Sequence, residues 1–143
     1  MFDHIMVLHF LDGKILKGWG SLISPFDKIM EFQDLLGQIH LIDLSKIKGA
    51  FYVKSFEGSL KKGKPVEATW LPQGDRLKVI FKDGEEMEGI CQIPEDFKTV
   101  GGFYLVPCDA SSNNYRVYIN ILAVSKILKL VGAKYYTPIY HSE

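Results

Sequence analysis

Four histidines, two cysteines and two clusters of polar residues are what this 143-residue chain offers for chemistry. His4, His9, His40 and His141 are scattered, and no two stand at the i, i+4 spacing that puts metal ligands on one helix face. His9 and His40 fall in strand-like patterns, where a hydrogen-bonded or exposed histidine is the ordinary case. Cys91 and Cys108 fit no paired C-x-x-C spacing and are expected as reduced, half-buried thiols that pack as small apolar groups. The sequence holds no G-x-S-x-G elbow, P-loop or G-x-G-x-x-G, and its spacing suggests no Cys–His pairing. Glu85, Glu86 and Glu88 follow a turn and are expected to face solvent, whereas acid–base catalysis needs burial to move a pKa. No catalytic residue, metal site or cofactor is expected, and the chain is read as a non-enzyme.

Binding is the chemistry that remains. Asn113-Asn114-Tyr115-Arg116 is the main polar cluster. Asparagines accept left-handed backbone and close turns with their side chains, so a structural turn accounts for them. As a recognition loop, Asn114 and Arg116 would donate to a ligand carboxylate or a peptide carbonyl; a third account pairs Arg116 with Asp109. Lys54, Lys61, Lys62 and Lys64 form the densest basic stretch, and with Phe56 and Trp70 as stacking platforms they could face phosphate. A solvated linker is the simpler account, with Glu57 and Glu67 diluting the charge. The partner-contact set is therefore Asn113, Asn114, Arg116, Phe56 and Trp70, and the four lysines would serve under a nucleic-acid alternative. Seventeen basic residues offset seventeen acidic ones, so no overall field favours nucleic acid or an anionic membrane.

The elements that must position these residues come from an internal repeat. His9-Phe10-Leu11-Asp12-Gly13-Lys14 through Gly18 lines up with Ile80-Phe81-Lys82-Asp83-Gly84-Glu85 through Gly89. Leu44-Ser45-Lys46-Ile47 resembles Val124-Ser125-Lys126-Ile127, which gives the second copy about nine more residues in between. Each Asp-Gly lies between runs rich in apolar and β-branched residues, 5–11 and 14–23, then 77–82 and 85–93. This predicts hairpins with two-residue type I′ turns. Gly18 and Gly89 fall inside the second strand of each hairpin and mark a bend or bulge.

Further strands are predicted at 28–33, 38–43 and 47–54, and at 102–107, 116–121 and 125–131, with a single helical turn expected near Leu122-Ala123. Residues 26–36, after Ser24-Pro25 and before Gly37, compete as a helix, but the counterpart Phe103-Tyr104-Leu105-Val106-Pro107 has no helical character and strand is preferred. The expected fold is mostly β: two tandem Sm-like or SH3-like small barrels related by the repeat and packed as one compact body. The units are 1–55 and 76–143, joined by a strap at 56–75. The aromatic tail Tyr135-Tyr136-Thr137-Pro138-Ile139-Tyr140 would add an edge strand or pack on a barrel face; exposed, it would contact another chain. The chain has no apolar run long enough to span a membrane and no basic, apolar start of a secretory signal, so a cytoplasmic protein is expected.

The first copy resembles the opening motif of the Sm-like family, in Val7 to Gly13, Gly18 and Asp27-Lys28-Ile29-Met30-Glu31. The asparagine through which that family binds RNA falls at Glu31, and its Arg-Gly motif has no match around 41–49. A second comparison is with the PilZ family, which Asp43-Leu44-Ser45-Lys46-Ile47-Lys48-Gly49 approaches, but no upstream arginine pair exists to clamp a cyclic dinucleotide. The whole chain looks like an uncharacterised group of bacterial proteins that share the paired Asp-Gly hairpins, a segment matching Tyr52 to Gly58 and another matching Asn113 to Val117. These resemblances imply no activity. The expected function is a non-catalytic protein-interaction or regulatory module, with an RNA-binding Sm-like protein as the alternative. A protein or peptide partner is expected over nucleic acid, with no membrane, and edge strands or the tail could support a homo-oligomer.

Overall fold

Strand alternation is plainest in Asp75–Phe81, where Leu77, Val79 and Phe81 are buried and the residues between them are not. A period of two sends successive side chains to opposite faces of a sheet. The computed structural model describes residues 2–24, 26–56, 74–91, 101–108, 112–133 and 135–142. They form the strands β1 (His4–Phe10), β2 (Ile15–Gly20), β3 (Ile29–Asp34), β4 (Ile39–Asp43) and β5 (Ile47–Val53). Then come β6 (Asp75–Phe81), β7 (Glu86–Cys91), β8 (Gly102–Pro107), β9 (Asn114–Asn120), β10 (Val124–Val131) and β11 (Tyr135–His141). The segment that competed as a helix is strand β3, as its counterpart β8 predicts. Single 3₁₀ turns, Leu44–Lys46 and Ile121–Ala123, lead into β5 and β10, the second of them where a helical turn was expected.

All eleven strands join one antiparallel sheet in the order β11-β10-β6-β7-β8-β9-β5-β1-β2-β3-β4. The two halves share one internal order, β5-β1-β2-β3-β4 and β10-β6-β7-β8-β9. They meet where β9 pairs with β5, with Phe51 opposite Val117 and Ala50 opposite Tyr118. This pair of strands is a wall between two cores. Tyr52, Ala50 and Tyr118 join Met6, Leu8, Phe32 and Ile47 on one side. Phe51, Val53, Val117 and Ile119 join Leu77, Val79, Phe81, Leu105 and Ile127 on the other. Burial on both faces is why Phe51-Tyr52-Val53 and Val117-Tyr118-Ile119 read as unbroken apolar runs.

The repeat recurs in the hydrogen bonding. Phe10 N–H donates to Lys14 O at 2.9 Å and Gly13 N–H to Phe10 O at 3.1 Å; Phe81 and Gly84 make the same bonds to Glu85 O and Phe81 O at 2.8 and 2.9 Å. Asp12 and Asp83 each accept the N–H two residues on, at 2.9 Å. Gly13 and Gly84 have φ of 93° and 94°, and among the described residues only glycines take positive φ. These turns are therefore three-residue loops closed by a left-handed glycine rather than the predicted type I′ turns, in which the aspartate would share that conformation. The second half of the repeat also needs correcting. Phe10 pairs with Ile47 and Phe81 with Val124, each beside a register shift, so Ile47 corresponds to Val124 and not to Ile127. The shared Ser-Lys-Ile letters are a coincidence of sequence, and the insertion in the second copy is shorter than they suggest.

Candidate functional site

The polar cluster singled out in the sequence sits where β5 ends and β9 begins. Asn113 is spent on backbone: its carbonyl accepts Lys54 N–H at 2.9 Å, its Oδ1 accepts Ser55 N–H at 3.2 Å and its Nδ2 donates to Ser55 O at 2.8 Å. These bonds are those of a structural clamp. Asn114 donates its N–H to Ser112 Oγ at 3.1 Å and pairs with Val53. Between them and Arg116 the register shifts: Tyr52 faces Arg116 and Val53 faces Asn114, leaving Tyr115 as the extra residue of a β-bulge. A bulge re-aims side chains that would otherwise alternate.

Arg116 lies over one ring of a tyrosine cluster. Its guanidinium carbon is 4.9 Å from the centre of the Tyr104 ring. Tyr52 stands 6.0 Å from Tyr104 and 6.2 Å from Tyr115, and Tyr118 packs edge-on to Tyr104 at 5.4 Å. The Tyr104 hydroxyl accepts Ile23 N–H and donates to Ile23 O, both at 2.6 Å, while the Tyr52 hydroxyl donates to Ser21 O at 2.9 Å. Burial pushes the phenols of Tyr52, Tyr104 and Tyr115 upward and that of Tyr118 to about 12, so all four stay neutral at ordinary pH. At the rim, His4 Nδ1 is 3.1 Å from the Tyr115 hydroxyl. Tyr52 and Tyr118 belong to the core of the first half, and the arginine over Tyr104 is what marks the cluster out.

Phe56 packs edge-on against Trp19 at 5.4 Å and its carbonyl lies 3.5 Å from Lys17 Nζ. Lys54 is exposed. Trp70, Lys61, Lys62, Lys64 and Asp109 lie outside the described residues. The structure thus brings Asn113, Asn114, Arg116 and Phe56 to one end of the seam between the halves.

A second feature was invisible in the sequence. Among the described residues β4 is the last strand of the sheet and pairs only with β3. Asp34 N–H bonds Gln38 O and Leu44 N–H bonds Lys28 O, so the hydrogen-bonded positions of this pair fall on Gln38, His40, Ile42 and Leu44. The backbone groups of Ile39 and Leu41 then point away from β3. These two residues are 61% and 73% exposed, and Ile29 on β3 is 61% exposed. At the opposite margin β11 covers β10, with a register shift next to Pro138.

A family model of unknown function, DUF6982, matches residues 3–131. The chain belongs to that family. The match runs from the edge of β1 to the end of β10 and leaves β11 beyond it. Neither the curated proteins nor the solved structures give a match.

In this member of the family the two halves also meet where β5 reaches the Asp83-Gly84 turn. Lys48, the bulged residue of β5, reaches Asp83 at 2.8 Å and Glu85 at 3.1 Å, and its Nζ sits 4.6 Å from the Phe81 ring centre. His9 lines the same cleft of about 340 Å³, against the Phe51 ring at 4.4 Å. Burial lowers its pKa from 6.5; Glu85 opposes this and Lys48 adds to it. The folded chain therefore holds His9 neutral at a pH where the unfolded chain would protonate it. Stability from this group is fully present above about pH 6.5 and is lost as pH falls toward the lower folded value. Melting curves from pH 8 to 5 are expected to show that loss, and His9→Gln to flatten it; an unchanged slope in the variant would remove His9 from the account.

His40 instead bonds Asp34 at 2.7 Å, and that bond is the main reason the Asp34 carboxyl is held below its usual range. Cys91 is buried and Cys108 half-buried, both free, and burial raises both thiols, that of Cys91 to about 12. Such thiols are poor nucleophiles. No group of three metal-ligating side chains, and no helix long and apolar enough to cross a membrane, occurs among the described residues.

Proposed function

We propose that the chain is a non-catalytic protein-interaction module, built from two small barrels of the Sm or SH3 kind, that holds an extended segment of a partner protein along β4. Recurrence of one strand order, one turn and one bulge in both halves supports the barrel repeat. The observation that carries the binding mode is the free edge: Ile39 and Leu41 present outward backbone groups and outward apolar side chains on the same two residues. An added strand takes main-chain bonds for affinity and alternate side chains for specificity. Exposed edges are usually blunted by lysine, proline or a bulge, and Ile39–Asp43 has none of these. Of the lysines invoked for RNA, only Lys54 is among the described residues, and it is exposed.

The test uses a displayed library of short peptides selected on the full chain. Leu41→Pro removes an N–H that points away from β3 and bonds nothing among the described residues, at an exposed edge position that tolerates proline. Selected peptides should bind with micromolar affinity, and Leu41→Pro should weaken them about tenfold while leaving Tm nearly unchanged. Equal binding by the variant would overturn the edge mode. Binding of single-stranded RNA that falls steeply with salt would replace it with the nucleic-acid reading.

A further inference from the structure

We propose that Arg116 and its tyrosine platform form an oxyanion site that takes a carboxylate or phosphate carried by an apolar stem on a peptide partner. It is separate from the β4 edge and stands whether or not β4 accepts a strand. The chain has two arginines, and they are treated differently. Arg76 spends its guanidinium on Glu88 at 3.2 Å. Arg116 is half-buried, and among the described residues its one partner is the face of Tyr104. Asp3 and Asp27, the acids whose charge reaches these tyrosines, make no ion pair with it.

An arginine stacked on a ring keeps its edge N–H groups in the plane of the fork, ready for two parallel bonds to an oxyanion. A lysine there would present a point charge without that geometry. The platform is fixed, because Tyr104 is bonded twice to Ile23 and Tyr52 to Ser21. The Tyr115 bulge sets a partly exposed ring 6.2 Å from Tyr52, with His4 against its hydroxyl. The guanidinium supplies charge and the rings supply apolar area, which fits an anion on an apolar or aromatic stem better than a free inorganic ion.

The experiment reads the arginine Nε–H resonances of the ¹⁵N-labelled full chain while benzoate, phenyl phosphate or benzylammonium is added at constant ionic strength. Arg76 serves as the internal control. Either oxyanion should move the Arg116 resonance along a saturating curve in the millimolar range, leaving Arg76 still, and benzylammonium should move neither. Whichever of benzoate and phenyl phosphate saturates at lower concentration identifies the preferred source. Arg116→Lys, checked for folding by its amide spectrum, should abolish saturation at the Tyr104 and Tyr115 amides. Unsaturating drift of both arginines, or saturation retained in Arg116→Lys, would overturn the proposal. A Tyr104→Phe variant keeps the stacking ring and should retain binding within a few-fold.

Discussion

Replacing Asn120 with aspartate is expected to cost about 3–5 kcal/mol at neutral pH, enough to unfold a large fraction of a domain of ordinary stability. Asn120 is 2% exposed and caps the 3₁₀ turn of the second half, accepting Leu122 N–H at 3.0 Å. Its Nδ2 reaches into the first half, toward Ile47 O at 2.8 Å, Ser45 O at 3.2 Å and Leu44 O at 3.3 Å. Asp43 does the same capping for the first half, on Ser45, but bonds nothing in the other half among the described residues. A carboxylate at 120 would keep the cap and set a negative oxygen against three carbonyls. It could stay only by taking up a proton, so the pKa of the introduced acid is raised on folding. The lost stability should then return in part as pH falls through that raised value, the opposite trend to that of His9. Asn120→Ala leaves the carbonyls unpaired without the charge and should cost about 1–3 kcal/mol with little pH dependence. Urea unfolding of both variants at pH 7 and pH 4.5 separates these outcomes; equal losses for both would mean that the amide bonds do not join the halves.

Gly18→Ala should be at least as damaging. A methyl group at Gly18 would lie 1.9 Å from the carbonyl oxygen of Gln33, a backbone atom of the strand beside it. Relief requires β2 and β3 to part at the bend where they cross, a loss of about 3 kcal/mol or more. Gly89, the repeat counterpart, meets Val106 O at 2.5 Å and Leu105 Cγ at 2.6 Å, so Gly89→Ala should fail for the same reason. Gly13→Ala is the control: it meets nothing within 4 Å, and only its φ of 93° penalises it, by about 1–2 kcal/mol. If Gly18→Ala melts no lower than Gly13→Ala, the close approach of β2 to β3 is wrong.

What could be read from sequence follows from what is local. Gly18 and Gly89 stood out as glycines inside strands and suggested a bend or bulge; no register shift falls at either, and the close approach of β3 and β8 is what requires them. The Asp-Gly turns stood out because left-handed glycine is a local need, although the loop length depended on the bond from Phe10 to Lys14 and was missed. Ser-Lys-Ile misled the repeat because the bulges at Lys48 and Ser125, not the letters, set which residues correspond. Asn113 was legible as polar, but its bonds to Ser55 cross the seam and could not be foreseen. Ile39 and Leu41 read as an ordinary strand, since being the last strand of a sheet is a property of the order of all eleven. Tyr104 did not stand out in its strand because only the arginine arriving from β9 distinguishes it.

The open edge is the central claim, and amide hydrogen exchange at Ile39, His40, Leu41 and Ile42 tests it most directly. In the free chain Ile39 and Leu41 should exchange rapidly, while His40 and Ile42, bonded to β3, are protected. On adding a selected peptide, Ile39 and Leu41 should become protected. Strong protection of Ile39 and Leu41 in the free chain at low concentration, or no change when a peptide binds, would contradict it.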